Sequence, residues 1–176
     1  ERSRMGNYVE EINRIKKRKN AVVLAHYYQR DDIQDVAEYT GDSLYLSKIA
    51  RESDAELSVL CGGHFMAETA KILSPHKIVL LPNKFAGCPM ADMATSENLR
   101  KYKLENPDTL VVSYVNTTAA VKALTDVCVT SSNAELIIKD FKDRKMVYIP
   151  DQNLGGYLKD KYELDMDLWP GYCYVH

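Results

Sequence analysis

Short apolar runs alternate along the chain with segments whose apolar residues recur every three or four positions. Residues 21–26 form a continuous apolar run, which is typical of a parallel strand covered on both faces. Further strands are predicted at 56–61, 77–81, 109–115, 127–129, 145–149 and 168–169. The helical periodicity predicts helices at 8–19, 31–39, 43–51, 65–73, 96–103, 117–124, 133–141 and 154–161. This alternation predicts βαβ units with right-handed crossovers and mainly parallel sheets.

The pattern also repeats itself. Residues 22–28 align with residues 110–116 at an offset of 88 residues, and the same offset places Ser43 on Ser131 and Pro82 on Pro170. The repeat predicts two units, at 1–92 (with an N-terminal helix) and 93–176. We therefore expect an α/β fold of pseudo-symmetric, repeated three-layer α/β/α units with mainly parallel sheets.

Composition narrows the possible partners. The 176 residues carry 23 basic and 25 acidic side chains, for a net charge of −2, which gives no electrostatic footprint for nucleic acid. No apolar stretch approaches the roughly 20 residues that span a bilayer, and no signal-peptide pattern is present. The four cysteines are widely spaced, so we expect a reducing, cytoplasmic location and no membrane partner.

Polar side chains follow the first strand of each unit. His26 and Tyr28 are two residues apart, and the offset of 88 places them on Tyr114 and Asn116. Ligands of parallel α/β sheets bind beyond the carboxyl ends of the strands, and these groups suit proton transfer and carboxylate binding. The alternative is a core histidine with tyrosines that bridge core and surface; the repetition of the polar pair favours function.

Ser43 and Ser131 share the same offset, each near a predicted helix start. A hydroxyl beside free N–H groups at a helix start suits a carboxylate or phosphate. Simple N-capping is the alternative. In addition, Ser132 and Glu135 have the spacing of a capping box.

Cys88 and Cys173 lie in glycine- and proline-containing segments after strands. Such loops can present a thiolate to a metal or cluster, although an isolated cysteine is often only a small buried hydrophobic residue. The second interpretation suits Cys61 and Cys128, which lie inside apolar runs.

Motifs along essentially the whole chain resemble quinolinate synthase, the iron–sulfur enzyme family of de novo NAD biosynthesis. The matching segments are AHYYQ at 25–29, YTGDSL at 39–44, CGGHFMAETA at 61–70, LLP at 80–82, AGC at 86–88, YVNT at 114–117, TSSNA at 130–134, PDQNLG at 150–155 and LWPGYC at 168–173.

This resemblance implies three similar α/β units, each contributing one cysteine to a [4Fe–4S] cluster. Cys88 and Cys173 would be the first two cluster ligands, and the third would belong to a unit absent from this chain. With three protein thiolates, one iron stays open to act as a Lewis acid.

The resemblance also implies the reaction. Iminoaspartate and dihydroxyacetone phosphate would condense to quinolinate, phosphate and water, with a functional link to L-aspartate oxidase. His26 and Tyr28 would be catalytic. The substrate-binding residues would be His26, Ser43, Tyr114, Asn116 and Ser131. The alternative function is a non-catalytic two-unit module that binds a small dicarboxylate or phosphate.

Overall fold

The computed structural model of the chain describes residues 2–173, with side chains described from residue 7 onward. Two compact units are present, Glu1–Ala86 and Gly87–His176. The division falls after Ala86 rather than after residue 92, where the sequence predicted it. Residues 88–93 pack within the second unit: the Trp169 indole N–H, for example, donates to the Met93 carbonyl at 2.8 Å.

The first unit is built around a four-stranded sheet. Its strands are β1 (Ala21–His26), β2 (Tyr39–Gly41), β3 (Leu57–Cys61) and β4 (Ile78–Leu80). They lie in the order β2-β1-β3-β4, and every pair is parallel. Its helices are α1 (Arg2–Lys19), α2 (Asp31–Gln34), α3 (Ser43–Glu52) and α4 (His64–Leu73).

The core of the first unit lies between this sheet and helices α3 and α4. Leu24 and Leu60 on neighbouring strands are fully buried against Leu46 and Met66 from the two helices. Burial of side chains of this size contributes about 1.5–3 kcal/mol each. The core therefore fixes β1, whose carboxyl end carries His26.

The second unit repeats the arrangement. Its strands are β5 (Leu110–Tyr114), β6 (Val127–Val129), β7 (Met146–Ile149) and β8 (Met166–Leu168), in the parallel order β6-β5-β7-β8. Its helices are α5 (Pro89–Asp92), α6 (Ser96–Glu105), α7 (Ala119–Lys122), α8 (Ala134–Lys139) and α9 (Gln152–Tyr162). Both units thus have the predicted parallel α/β fold.

Both faces of the second sheet are covered. One core cluster includes Val112, Tyr148 and Leu158, and the opposite face carries Val111, Ile149 and Leu99. Register also follows the repeat, since Leu24 pairs with Tyr39 and Val112 pairs with Val127. Among the residues from 2 to 173, no helix is long and apolar enough to cross a membrane.

Two local predictions are wrong. The helix predicted at 31–39 ends at Gln34, and Tyr39–Gly41 forms strand β2, because this segment finds hydrogen-bonding partners on β1. The short helix α5 was not predicted.

The capping box at Ser132 and Glu135 is also wrong, because Asn133 occupies the N-cap of α8. The Glu135 carboxylate instead accepts hydrogen bonds from Tyr157, Lys161 and Tyr162 on α9. These bonds join α8 to α9 and lower the pKa of Glu135 to about 2.

Candidate functional site

The carboxyl end of β1 carries a cluster of three aromatic rings. The His26 ring stacks on Tyr27 with centroids 4.5 Å apart and lies 4.9 Å from the ring of Tyr28. Tyr28 is 73% exposed, so its phenol faces solvent at the strand end. The two predicted residues, His26 and Tyr28, are therefore brought together at the edge where α/β sheets bind ligands.

The backbone fixes the tautomer of His26. The Tyr28 backbone N–H donates to His26 Nδ1 at 3.1 Å, so Nδ1 acts as an acceptor and the proton of the neutral ring is on Nε2. Burial lowers the pKa of His26, and the nearby Asp42 carboxylate opposes that shift. At neutral pH the ring is a neutral Nε2–H donor.

Ser43 is the first residue of α3, and it follows strand β2, which pairs with the end of β1. Asp42 is the N-cap of that helix, and its carboxylate accepts from the Tyr45 N–H at 2.7 Å. The N-capping alternative for Ser43 is therefore wrong. The Tyr27 N–H also donates to the Gly41 carbonyl at 3.1 Å, which holds the end of β1 next to the start of α3.

In the second unit, Tyr114 at the end of β5 meets Ser131. Their hydroxyls hydrogen-bond to each other at 2.8 Å, which brings together two residues that the repeat singled out. Burial raises the pKa of the Tyr114 phenol, and the bond to Ser131 opposes that rise. Ser131 precedes α8 by a turn and does not occupy the N-cap position, which Asn133 fills.

Asn116, two residues after Tyr114, contacts a thiol. It is 3% exposed, and its Nδ2 donates to Cys88 Sγ at 3.3 Å. Within the described part of the chain, no donor reaches Asn116 Oδ1, although this oxygen is buried. Asn116 thus presents an unused acceptor beside a sulfur atom.

Cys173 lies at the end of the same sheet. Gly171 pairs with Asp151 in an isolated parallel bridge, and the Asn153 amide donates to the Cys173 carbonyl at 3.0 Å. A Cβ at Gly171 would collide with the Pro150 carbonyl oxygen, so only glycine lets the segment pass this close. Cys173 also contributes to the raised pKa of Tyr114.

Asp151 is not among the site residues predicted from the sequence. This residue is fully buried at the N-cap of α9, where its carboxylate accepts from the Asn153 N–H at 3.0 Å. It also raises the pKa of Tyr114. Its place directly after the buried strand β7 was the available signal.

The other cysteines and histidines play different parts. All four thiols are free, and burial raises the pKa of Cys61. Cys61 is half-buried, which suits its interpretation as a packing residue, but Cys128 is exposed, so the same interpretation is wrong for Cys128. His64 pairs with Glu68 at 2.8 Å on α4.

The described side chains do not by themselves assemble a metal site. Across residues 2–173, no group of three or more histidine, cysteine or carboxylate side chains is arranged to hold a metal ion. His176 lies outside the described residues. Cys88 and Cys173 therefore belong to no such group among these residues.

Comparisons with known proteins agree in one family. The family model described as Quinolinate synthetase A protein matches residues 10–176. The chain is 54% identical over 169 residues to a quinolinate synthase of Sulfurihydrogenibium sp., covering 96% of this chain and 55% of that protein. It is 53% identical to those of Desulforudis audaxviator and Clostridium perfringens, with 56% of each covered.

The chain spans about half the length of these curated relatives. The family model, in contrast, covers nearly all of this chain, including both strand-end clusters and both candidate cluster cysteines. This chain belongs to the quinolinate synthase family.

Proposed function

We propose that this chain carries the substrate-binding residues, and part of the cluster-binding residues, of a quinolinate synthase. The reaction joins iminoaspartate and dihydroxyacetone phosphate to give quinolinate, phosphate and two waters. The observations that support it best are two hydrogen bonds of the second unit, Tyr114–Ser131 and Asn116–Cys88, the second of which places a substrate-type amide beside a thiol. We further expect a cytoplasmic enzyme with a functional link to L-aspartate oxidase.

The described residues fit part of a [4Fe–4S] site. Cys88 is half-buried and accepts a hydrogen bond from Asn116, as a metal-bound sulfur does, and Cys173 lies at the same end of the second sheet. The described residues hold no three-donor group, so a third ligand must come from outside them. When bound, such a cluster supplies an iron that polarises a carboxylate or a leaving hydroxyl.

In the first unit, His26 and Tyr28 are suited to proton handling. The neutral His26 ring offers an Nε2–H donor to a carboxylate or carbonyl oxygen, because Nδ1 is already an acceptor. The exposed Tyr28 phenol can give and take a proton during tautomerisation and dehydration. We assign His26 to substrate binding and catalysis, and Tyr28 to catalysis.

In the second unit, the polar groups are suited to binding rather than to proton transfer. The Tyr114 and Ser131 hydroxyls share one hydrogen bond, in which one of them donates its only proton, so the pair has one O–H left to donate to a carboxylate or phosphate oxygen. The free Oδ1 of Asn116 accepts from an amine or hydroxyl. With His26 and Ser43 of the first unit, these residues make up the proposed substrate-binding set.

The experiment is anaerobic reconstitution of the protein that contains this chain, followed by iron and sulfide analysis and a quinolinate assay. Cys88→Ser and Cys173→Ser should each lose cluster iron. Cys61→Ser is the matched control and should keep it. Tyr28→Phe should keep the iron while quinolinate formation falls by about 10²–10⁴-fold, the usual range for a lost acid–base group.

Two results would contradict the proposal. Wild-type quinolinate formation in Tyr28→Phe would remove this residue from catalysis. Binding of a dicarboxylate by iron-free wild-type protein that forms no quinolinate after reconstitution would support the non-catalytic module instead.

A further inference from the structure

Helices α2 and α7, which follow strands β1 and β5, each end in a residue whose side chain donates to two backbone carbonyls. Gln34 is the last residue of α2, and its Nε2 donates to the Tyr27 carbonyl at 3.2 Å and to the Gln29 carbonyl at 2.7 Å. These two carbonyls flank Tyr28. One side chain thus holds the backbone on both sides of a candidate catalytic residue.

The second unit contains the same arrangement with a different amino acid. Lys122 is the last residue of α7, and its Nζ donates to the Val115 carbonyl at 2.7 Å and to the Thr117 carbonyl. These carbonyls flank Asn116. The offset of 88 relates Lys122 to Gln34 and relates each carbonyl to its counterpart.

The chemistry common to both units is the pair of N–H donors, because an amide serves in one unit and an ammonium in the other. Beyond the end of a strand, carbonyl oxygens no longer have a neighbouring strand to accept from, and they need other donors. A donor that bonds the carbonyls before and after one residue restricts the backbone dihedral angles of that residue. The side chain between them then leaves the loop in a defined direction.

We propose that Gln34 and Lys122 are positioning residues that orient Tyr28 and Asn116. The roles of Tyr28 and Asn116 themselves rest on the proposed function. Orientation matters most for these two residues. Tyr28 is exposed, and Asn116 must direct Nδ2 at Cys88 while Oδ1 stays available. A misplacement of about 1 Å in such a group can cost about 10²-fold in rate.

The experiment combines substitution with two readouts in the protein that contains this chain. Lys122→Met and Gln34→Met keep a flexible stem of similar length and remove the donors. Lys122→Gln and Gln34→Lys give each unit the donor side chain that the other unit uses. Lys71→Met is the matched control, because Lys71 also donates to two carbonyls, those of Pro75 and Lys77, away from the strand ends.

The first readout is amide hydrogen exchange of residues 115–118 and 27–30. Each Met variant should speed exchange in its own segment by about tenfold or more, as expected for a local opening, with little change elsewhere. Lys122→Gln and Gln34→Lys should instead keep amide hydrogen exchange as slow as in the wild-type protein. The Lys71→Met control should leave both segments unchanged.

The second readout is quinolinate formation. Lys122→Met should mainly raise KM, since Asn116 is a binding residue, and Gln34→Met should mainly lower kcat, since Tyr28 is catalytic. Unchanged exchange in both Met variants would overturn the positioning role, and so would a failure of Lys122→Gln to rescue. If the variants show this exchange pattern but the wild-type protein forms no quinolinate, the result contradicts the proposed function and leaves the positioning role in place.

Discussion

The two units share one scaffold but end in different chemistry. At the strand end of the first unit, the rings of His26 and Tyr27 stack, the Tyr28 ring packs edge-on against Tyr27, and Tyr28 is largely exposed. At the equivalent place in the second unit, Tyr114 and Asn116 are bonded to neighbouring side chains, and Asn116 is almost completely buried. The first strand end is thus open to solvent, whereas the side chains of the second are held by hydrogen bonds.

Away from the strand ends, the two units share hydrogen bonds that the sequence offset relates. The Glu38 carboxylate accepts from the Val23 N–H at 2.7 Å, and the Asp126 carboxylate accepts from the Val111 N–H at 2.8 Å. The backbone N–H of each acidic residue also donates to the carbonyl of the same valine. The two units therefore keep this hydrogen-bond arrangement while their strand ends differ.

A lysine completes this arrangement in each unit. Lys16 Nζ donates to the Val36 carbonyl and pairs with Glu38 at 2.6 Å. Lys103 Nζ donates to the Leu124 carbonyl and lies 3.9 Å from Asp126. The Lys16–Glu38 ion pair is shorter and its lysine is less exposed, so it should contribute more to the stability of its unit than the Lys103–Asp126 pair does.

The largest effect should come from removing these carboxylates. Glu38→Ala and Asp126→Ala each leave a strand N–H without its acceptor, which costs about 1–3 kcal/mol for a buried group. We expect Glu38→Ala to be the more destabilising, because it also leaves the less exposed lysine unpaired. The free energy of local unfolding from amide exchange at β1 and β5 measures both.

The control variants for this pair are Glu38→Gln and Asp126→Asn, which keep an acceptor oxygen. They should retain most of the stability. If the amide variants lose as much as the alanine variants, charge rather than the strand hydrogen bond is responsible, and the shared arrangement would need another explanation.

A smaller effect, of opposite sign, is expected at Tyr148. This side chain is fully buried in the second core, and its hydroxyl finds no hydrogen-bond partner among the described residues. The equivalent residue in the first unit is Leu60, which has no polar atom to satisfy. Tyr148→Phe should therefore be neutral or stabilise the second unit by up to about 1 kcal/mol.

Equilibrium unfolding monitored by exchange in β7 tests this substitution, with Tyr114→Phe as the contrasting variant. Tyr114→Phe removes a hydroxyl that is bonded to Ser131, so it should not stabilise. Clear destabilisation by Tyr148→Phe would instead mean that its hydroxyl has a partner in the working protein.

The sequence predicted the parts of the fold that depend on apolar periodicity. The buried strand β1 has the predicted bounds, because a continuous apolar run has few alternatives. Strand β2 was missed, because Tyr39–Gly41 is mostly exposed and becomes a strand only through pairing with β1. The failed capping box has the same cause, since the carboxylate of Glu135 finds better partners on α9.

At the site, the internal repeat carried more information than any motif of local spacing. It singled out Tyr114 and Ser131, whose hydroxyls do bond to each other. It could not reveal that Asn116 contacts Cys88 or that Gln34 and Lys122 act alike. Those facts depend on where side chains reach in three dimensions, and the residue types at the last pair differ.

The smallest effect concerns protonation, and it sharpens the contrast between the strand ends. Burial holds the pKa of His26 below its usual 6.5, whereas burial raises the pKa of Tyr114 above its usual 10. As the pH falls below 6.5, His26 should therefore take up a proton, whereas the Tyr114 phenol stays neutral across that range. Because the folded state binds the His26 proton more weakly than the unfolded state, this residue should reduce stability as the pH falls from 6.5 through its folded pKa.

Nitrogen-15 NMR of histidine-labelled protein measures this directly. His26 should titrate below 6.5, and its neutral form should show Nδ1 as the unprotonated nitrogen. Asp42→Asn should lower the pKa of His26 further, because the Asp42 carboxylate favours the imidazolium. A His26 pKa above 6.5, or a proton on Nδ1 of the neutral ring, would contradict the hydrogen bond from the Tyr28 N–H and with it the assignment of Nε2–H as the donor to substrate.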